Sequence, residues 1–370
     1  MGNLALLDFV ESMFENVNLK NTLLIASQHI LGAQKTMFEH IIKKGLKPSN
    51  IYLIGKCYST NKDVLMEIKK MGIYISDKSD SFDSYLSFDE QFEDYTRDFL
   101  KYIKNNVEVE NYDKVIILED GGSLLSDAKK IFDKVDNFMG IEQTSAGYEK
   151  LKNIKLGFPV INVARSKAKL EIESPIIALT CIERMMAQLK VLKLKPHKVL
   201  IIGAGAVGQA IYKKLNNNFE VKRYDINSVN SDYNNESLKS VINEFDMIIG
   251  CTGKEILDVS FYKYLKKNCI LISASSSDRE FSAVNLRKMA EKAGNCHDNI
   301  LTNGIILLNC GFPINFDGKR DSAKPEDIQI TLALLFASVC LARTRKFTKG
   351  LVDFDEKIQK EIVKNSKITM

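Results

Sequence analysis

Short runs of apolar and β-branched residues recur along this chain, each followed by a longer stretch with helical spacing, and no other feature restricts the fold as much. TLLIAS (22–27), NIYLIG (50–55), GIYIS (72–76), KVIILE (114–119) and FPVINV (158–163) form one series. HKVLIIG (197–203), FEVKRYD (219–225), FDMIIGC (245–251), NCILIS (268–273) and GIILLNC (304–310) form a second. Runs this short, alternating with amphipathic helices, make β-α-β units and so parallel sheets covered on both faces. Two series predict two α/β domains, which suits a chain of 370 residues. Between them, ESPIIALTCIERMMAQLKVLKLKP places Ile176, Ile177, Ile182, Met185 and Leu189 on one face of a long helix that stops at Pro196, read here as the connector. PEDIQITLALLFASVCLARTRKF and DFDEKIQKEIVK are helical by the same spacing, with Pro325 and Glu326 suited to a first turn. A helix so apolar needs a sheet to cover, and it is expected to return to the first domain.

The charge pattern narrows the partners. The 52 basic and 47 acidic residues are interspersed, so the net +5 forms no concentrated field for a phosphate backbone or an anionic membrane, and no nucleic-acid partner is expected. Seven cysteines stand far apart without a C-x-x-C pair, which argues for reduced thiols and against a disulfide framework or a metal centre. No segment reaches ~18 uninterrupted apolar residues and the N-terminus has no cleavage site, so neither a membrane span nor secretion is expected and the cytoplasm is the expected address. Leu6 stands where a myristoylation signal starting at Gly2 needs a hydroxyl residue. The stretch SDKSDSFDSYLSFDEQFEDY (76–95) reads as a solvated acidic loop and helix start.

VLIIGAGAVGQAI carries the strongest chemical signal. Gly203, Gly205 and Gly208 follow a short apolar run directly and open a helix, the context in which G-x-G-x-x-G binds a dinucleotide. The turn, with Ala206 and Val207 in it, would hold a pyrophosphate at the helix N-terminus. Asp225 ends the next run, 22 residues beyond Gly203, where a carboxylate accepts from ribose hydroxyls and repels a 2′-phosphate, so NAD is favoured over NADP. By strand alternation Arg223 shares the face of Asp225, and Lys222 and Tyr224 take the other. Thr252 and Gly253 end the third run of this series and are expected beside the cofactor. The expected architecture is a Rossmann NAD-binding domain over 186–322 and a discontinuous substrate domain over 1–185, completed by the C-terminal helices at 323–370.

In the first series VIILEDGGS runs an apolar strand into two acids and two glycines. At the carboxyl end of a parallel strand Asp120 would face the crevice in which α/β sheets bind ligands. ILEDGGS, then GIEQTSAGYEKL (140–151), PVINVARSKAKLEIES (159–174) and the glycine turn together resemble the ordered landmarks of the S-adenosylhomocysteine hydrolase family: its D-D-G-G, E-E-T-T-T-G, I-N-V-N-D-S-x-x-K-x-x-x-D-N and Rossmann turn. The likeness covers roughly residues 20–345 and extends to ASQHILGAQKT, GKCYSTNKD and GFPINFDG. It implies a tightly held NAD that oxidises a ribose hydroxyl, after which a group two carbons away leaves or adds and the cofactor is regenerated. Lys169 falls on the family's lysine and Glu173 on its aspartate, an i, i+4 pair that would manage the hydroxyl proton. The same resemblance implies that Asp120 holds the substrate hydroxyl, His29 stands near the leaving group, Thr144 touches the nicotinamide side and Asn315 contacts the cofactor. It also implies a homo-oligomer.

The sequence departs from the family where acid–base chemistry is concerned. The family's G-H-F-D histidine should fall in LISASSSDREF, which holds only serines, Asp278 and Arg279, and no histidine lies near NFDGKRDSAKP. Gln143 replaces the second glutamate of E-E-T-T-T-G and Ser174 the asparagine after the catalytic aspartate, so both are expected in a rebuilt substrate pocket. VKNSKITM lacks the family's lysine and tyrosine tail. The expectation is a divergent enzyme with bound NAD that oxidises a secondary hydroxyl of a nucleoside, a sugar or a similar small molecule. A dehydrogenase that releases NADH and a non-catalytic NAD-binding regulator are its alternatives.

Overall fold

The computed structural model describes residues 4–233, 237–290 and 294–366; Gly2 and the last four residues of the C-terminal tail lie outside them. The chain divides into two compact units, one formed by 1–81, 92–173 and 324–370, the other by 82–91 and 174–323. The strands of the first unit are β1 (Thr22–Ser27), β2 (Ile51–Ile54), β3 (Tyr74–Ile75), β4 (Lys114–Glu119), β5 (Phe138–Glu142) and β6 (Pro159–Asn162). Those of the second are β7 (Lys198–Ile202), β8 (Glu220–Tyr224), β9 (Met247–Gly250), β10 (Cys269–Ser273), β11 (Ile300–Thr302) and β12 (Ile305–Leu307), and β13 (Gly350–Asp353) returns to the first. Helices α1 (Ala5–Met13), α2 (Gly32–Lys43), α3 (Lys62–Lys70), α4 (Phe88–Asn106), α5 (Ser123–Ile131) and α6 (Ser145–Leu151) precede α7 (Ser174–Val191), α8 (Ala206–Leu215), α9 (Leu238–Val241), α10 (Ala283–Met289), α11 (Pro325–Thr344) and α12 (Glu356–Asn365).

In the first unit the strand order is β13-β6-β5-β4-β1-β2-β3, and every neighbouring pair is parallel. The chain winds one way from β1 through β2 to β3, then passes back to β4 and winds the other way. Connections therefore leave β1 and β4 in opposite directions, and the crevice between their carboxyl ends is where an open α/β sheet binds ligands. Helix α11 lies against β4, β5, α1 and α2. By length and composition it could cross a membrane, yet Ile330 through Ala342 is buried without interruption, as befits a core helix that is apolar on every side.

In the second unit β8-β7-β9-β10-β12 is parallel and β11 adds an antiparallel edge. The order reverses at β7, so this Rossmann-type sheet has its own crevice at the carboxyl end of that strand. Ala178, Cys181, Met185 and Leu189 of α7 pack with Val199, Ile201, Ile249 and Ile272 of the sheet. The boundary consequently falls at 173/174, and α7 belongs whole to the second unit instead of being divided at 185. The helix ends at Val191, before Pro196, because Lys193 turns left-handed (φ 54°) and Leu194 N–H bonds back to Leu189 O at 2.9 Å.

The reading of 76–95 as a solvated stretch needs correction. Residues 82–91 are anchored in the second unit, with Phe82 and Phe88 edge-on to Phe312 at 5.5 and 5.8 Å. Arg287 donates to Ser84 O (2.9 Å) and Leu86 O (3.0 Å) and pairs with Asp278 at 2.8 Å, which in turn accepts from Phe88 N at 3.1 Å. The chain thus passes between the units at four places, where the sequence suggested two.

Candidate functional site

In the second unit β7 runs into Gly203, and α8 begins three residues later. Gly203 has φ 99°, and a Cβ there would meet Thr252 Cγ2 at 2.8 Å. A Cβ on Gly208 would stand 1.9 Å from Gly203 O, so helix and turn are packed as closely as a hydrogen allows. Gly205 has nothing within 4 Å of its missing Cβ and opens onto free space. The first N–H groups of α8, those of Ala206, Val207 and Gly208, have no carbonyl within their own helix and sit at its positive end. The Val207 side chain packs into the core, so its backbone alone is on offer. Asp225 is the first residue beyond β8; its Oδ2 accepts from Ala204 N at 2.7 Å and its Oδ1 from Asn227 N at 2.8 Å, which ties the carboxylate to the glycine turn.

Around this turn Glu280, fully buried, gathers the loop after β9. It accepts from Thr252 N (2.7 Å), Thr252 Oγ1 (3.1 Å), Gly253 N (3.1 Å) and, on its other oxygen, Ser273 Oγ (2.7 Å). Arg279 donates to Gly253 O at 3.0 Å and pairs with Asp89 at 2.7 Å. Asp278, Arg279 and Glu280 are therefore structural fasteners. Sequence reasoning passed over Glu280, whose only signal is an acid within ASSSDREF. Asn315 is buried at the same sheet edge, after Ile314 N, which bonds Ser273 O at 2.9 Å. Gly208→Ala should destabilise this unit by roughly 3 kcal/mol in a denaturant titration, because strand and helix must separate to admit a methyl group. Gly205→Ala should leave the midpoint unchanged.

In the first unit four adjacent strands deliver polar side chains to the carboxyl edge: Gln143 after β5, Asp120 after β4, Gln28 and His29 after β1, and Lys56 after β2. Lys56 Nζ is ion-paired with Asp120 Oδ1 and donates to Asp120 O at 2.7 Å. Gln143 Nε2 donates to Asp120 Oδ2, and His29 Nε2 lies 3.2 Å from the same oxygen. The other ring nitrogen of His29 is 2.6 Å from Ser59 Oγ, and Gln28 Nε2 donates to Gln143 Oε1 at 3.2 Å. Burial pulls the Lys56 ammonium down, but the Asp120 carboxylate outweighs it and holds the amine above the ordinary lysine value. Burial likewise opposes ionisation of Asp120, while Lys56 and His29 keep it well below the usual carboxylate range.

Beneath this cluster Glu119 and Glu142 are register partners on β4 and β5, both fully buried. Glu119 accepts from Asp120 N (2.9 Å) and Leu124 N (2.5 Å), and Glu142 Oε1 from Thr144 N (2.7 Å), Thr144 Oγ1 (2.7 Å) and Gly121 N (3.3 Å). The two carboxyls thereby hold the turns that carry Asp120 and Gln143. Burial pushes Glu119 up to about 7, against the pull of Lys56. It pushes Glu142 up to about 8, with the Glu119 charge adding to the shift. Thr144 caps α6 by accepting from Gly147 N at 2.9 Å, so its hydroxyl is engaged on both sides.

Lys169 and Glu173 span one π-helical turn and form an ion pair, 11% and 16% exposed, so the amine is not in bulk water. Thr331 of α11 donates to Glu173 Oε1 at 3.0 Å. Among the described residues no hydrogen bond or ion pair joins this pair to Asp120. Ser174 opens α7 and belongs to the second unit, Gln143 to the first. The structure thus brings Asp120, His29 and Gln143 together with Glu119, the other acid of VIILEDGGS, and adds Lys56, Glu142, Gln28 and Ser59, to which the sequence reading gave no role.

Two curated proteins of Mycobacterium tuberculosis, the uncharacterized proteins MT0113 and Rv0104, are each 39% identical to this chain over 332 residues, which is 88% of it and 65% of their own length. The chain thus spans slightly under two thirds of the curated relatives it matches. No protein-family model matches it. Among solved structures, the A chain of dipicolinate synthase from Bacillus subtilis is similar at 12% identity, over 88% of this chain and 97% of that one, with a TM-score of 0.41. The NAD+-bound 3-phosphoglycerate dehydrogenase of Entamoeba histolytica is similar at 12% identity, over 88% and 100%, with a TM-score of 0.40.

Proposed function

We propose that this chain is an NAD-dependent oxidoreductase that oxidises a secondary hydroxyl of a small, nucleoside- or sugar-like molecule. The observation that carries the reading is the glycine turn: Gly208 tolerates no side chain, Gly205 leaves open the space a pyrophosphate needs, and Asp225 is fastened at the ribose end. Bound NAD would supply the hydride acceptor. In the first unit Asp120, kept anionic by Lys56, accepts a hydrogen bond from the substrate hydroxyl, and Gln143 fixes the carboxylate's orientation. His29, the least buried member of the cluster, receives the hydroxyl proton by way of Asp120, whose Oδ2 lies 3.2 Å from its Nε2, as the hydride leaves the carbon. The Lys169–Glu173 pair is the second group able to manage that proton, by its resemblance to the family lysine and aspartate.

The resemblance to S-adenosylhomocysteine hydrolase also raises a closed redox cycle with elimination or hydrolysis. Oxidation as the whole reaction is favoured by the segment 274–281, where Asp278, Arg279 and Glu280 are committed to structural contacts and offer no acid–base histidine. Mass spectrometry of the protein as purified, followed by acid release of bound small molecules, tests the reading. NAD recovered with a small hydroxylated compound supports it. Recovery of a different cofactor, such as a flavin, would count against it.

A further inference from the structure

The dinucleotide reading leaves Arg223 unexplained. It stands two residues before Asp225, and an arginine near the ribose end of such a turn is the group that receives a 2′-phosphate. Here the guanidinium is already committed. Its Nη2 lies 2.9 Å from Asp232 Oδ1, its Nη1 contacts Gln209 Oε1 at 3.4 Å, and its plane sits over the Tyr212 ring at 4.3 Å. Asp232 is pinned in turn, since its Oδ2 accepts from Arg223 N at 2.7 Å and its own N–H donates to Arg223 O at 2.9 Å. The chain beyond β8 thus folds back to return a carboxylate to the arginine it has just left. Gln209 and Tyr212 belong to α8, the helix whose N-terminus follows the glycine turn, so the restrained cation lies on the side of the strand from which the turn is served.

We propose that Asp232 is a specificity residue of the dinucleotide site. It neutralises Arg223 and keeps it turned onto Tyr212, so that the ribose end presents the Asp225 carboxylate alone and a 2′-phosphate finds repulsion without a compensating cation. The inference rests on the proposed dinucleotide function and deepens it, making the preference for NAD a product of two carboxylates: one that faces the ribose and one that withholds an arginine.

Calorimetric titration of NAD and NADP into the full chain, wild type and variants, at one ionic strength, tests it. Asp232→Asn keeps an oxygen for Arg223 N–H while removing the charge; it should tighten NADP binding by about tenfold and change NAD binding less than twofold. Arg223→Gln alone should leave NAD binding unchanged, and the double variant should return NADP to its wild-type affinity. Asp232→Ser provides the same charge removal should the Asn variant fold poorly, with melting temperature as the check. An unchanged NADP-to-NAD ratio in folded Asp232 variants, or a gain that persists without Arg223, overturns the inference while leaving the dinucleotide reading in place. Binding of neither nucleotide by the wild type overturns both.

Discussion

Replacing Lys56 with methionine is expected to cost about 3–5 kcal/mol of folding stability at pH 7, because it strands the Asp120 carboxylate in a buried site. The cost should depend on pH in a defined direction. In the wild type, Asp120 ionises below its unfolded value of 3.8, so its contribution is complete above that value and lost only as pH falls through the lower folded one. Lys56 is raised above 10.5, so its contribution is complete below that value and lost only as pH rises through the higher folded one. The intact pair therefore contributes evenly from about pH 5 to 9. Without Lys56 the carboxyl is driven toward its neutral form, so the penalty should shrink toward pH 4 and grow above it. Lys56→Met combined with Asp120→Asn should recover most of the loss, since both charges are then gone. Urea titrations at pH 4.5 and 7 measure the difference; a single variant within 1 kcal/mol of wild type at pH 7 would mean that the pair is not the buried one described.

Glu142→Gln is expected to act in the opposite sense at alkaline pH. Glu119 and Glu142 are displaced upward from 4.5, to about 7 and about 8, so the folded protein keeps protons that the unfolded chain has released. Stability must then fall as pH rises from 4.5 to about 8 and level off beyond. The effect belongs to the pair, which amounts to less than the sum of its members because the two carboxyls titrate together. Glutamine keeps an oxygen for Thr144 N and Gly121 N and carries no charge beside Glu119. The variant should match wild type within about 1 kcal/mol at pH 5 and exceed it by about 2 kcal/mol or more at pH 8.5. A difference that does not vary with pH would exclude a buried, protonated carboxyl at this position. The test bears on function because these two carboxyls hold the turns on which Asp120 and Gln143 stand.

The parts of this molecule that could be read from sequence are those fixed by neighbours along the chain. KVIILE is β4 to the residue, because a continuous apolar run bounded by polar residues and glycines has one way to sit in a parallel sheet. The glycine turn was legible for the same reason, its spacing being a local geometric demand. Strand β5 escaped notice because Gly140 interrupts FMGIE, and that glycine answers to distant neighbours: a Cβ there would meet Leu125 Cδ2 at 2.5 Å and Val160 Cγ2 at 2.8 Å. β13 is a four-residue edge strand whose partner, β6, lies far back in the chain. The anchoring of 82–91 depends on Arg287 and Phe312, and nothing local distinguishes those serines and acids from a solvated loop. Lys56 and Asp120 are 64 residues apart and meet because β2 and β4 flank β1, a consequence of strand order that spacing does not reveal.

The central claim is that the second unit binds NAD at the turn between β7 and α8, and calorimetric titration of NAD into the full chain tests it most directly when paired with Gly205→Val. The account predicts saturable binding of one NAD per chain by the wild type and its loss in the variant, with the melting temperature unchanged because the added side chain enters open space. A folded wild type that takes up no NAD, or a variant that binds it equally well, would contradict the account.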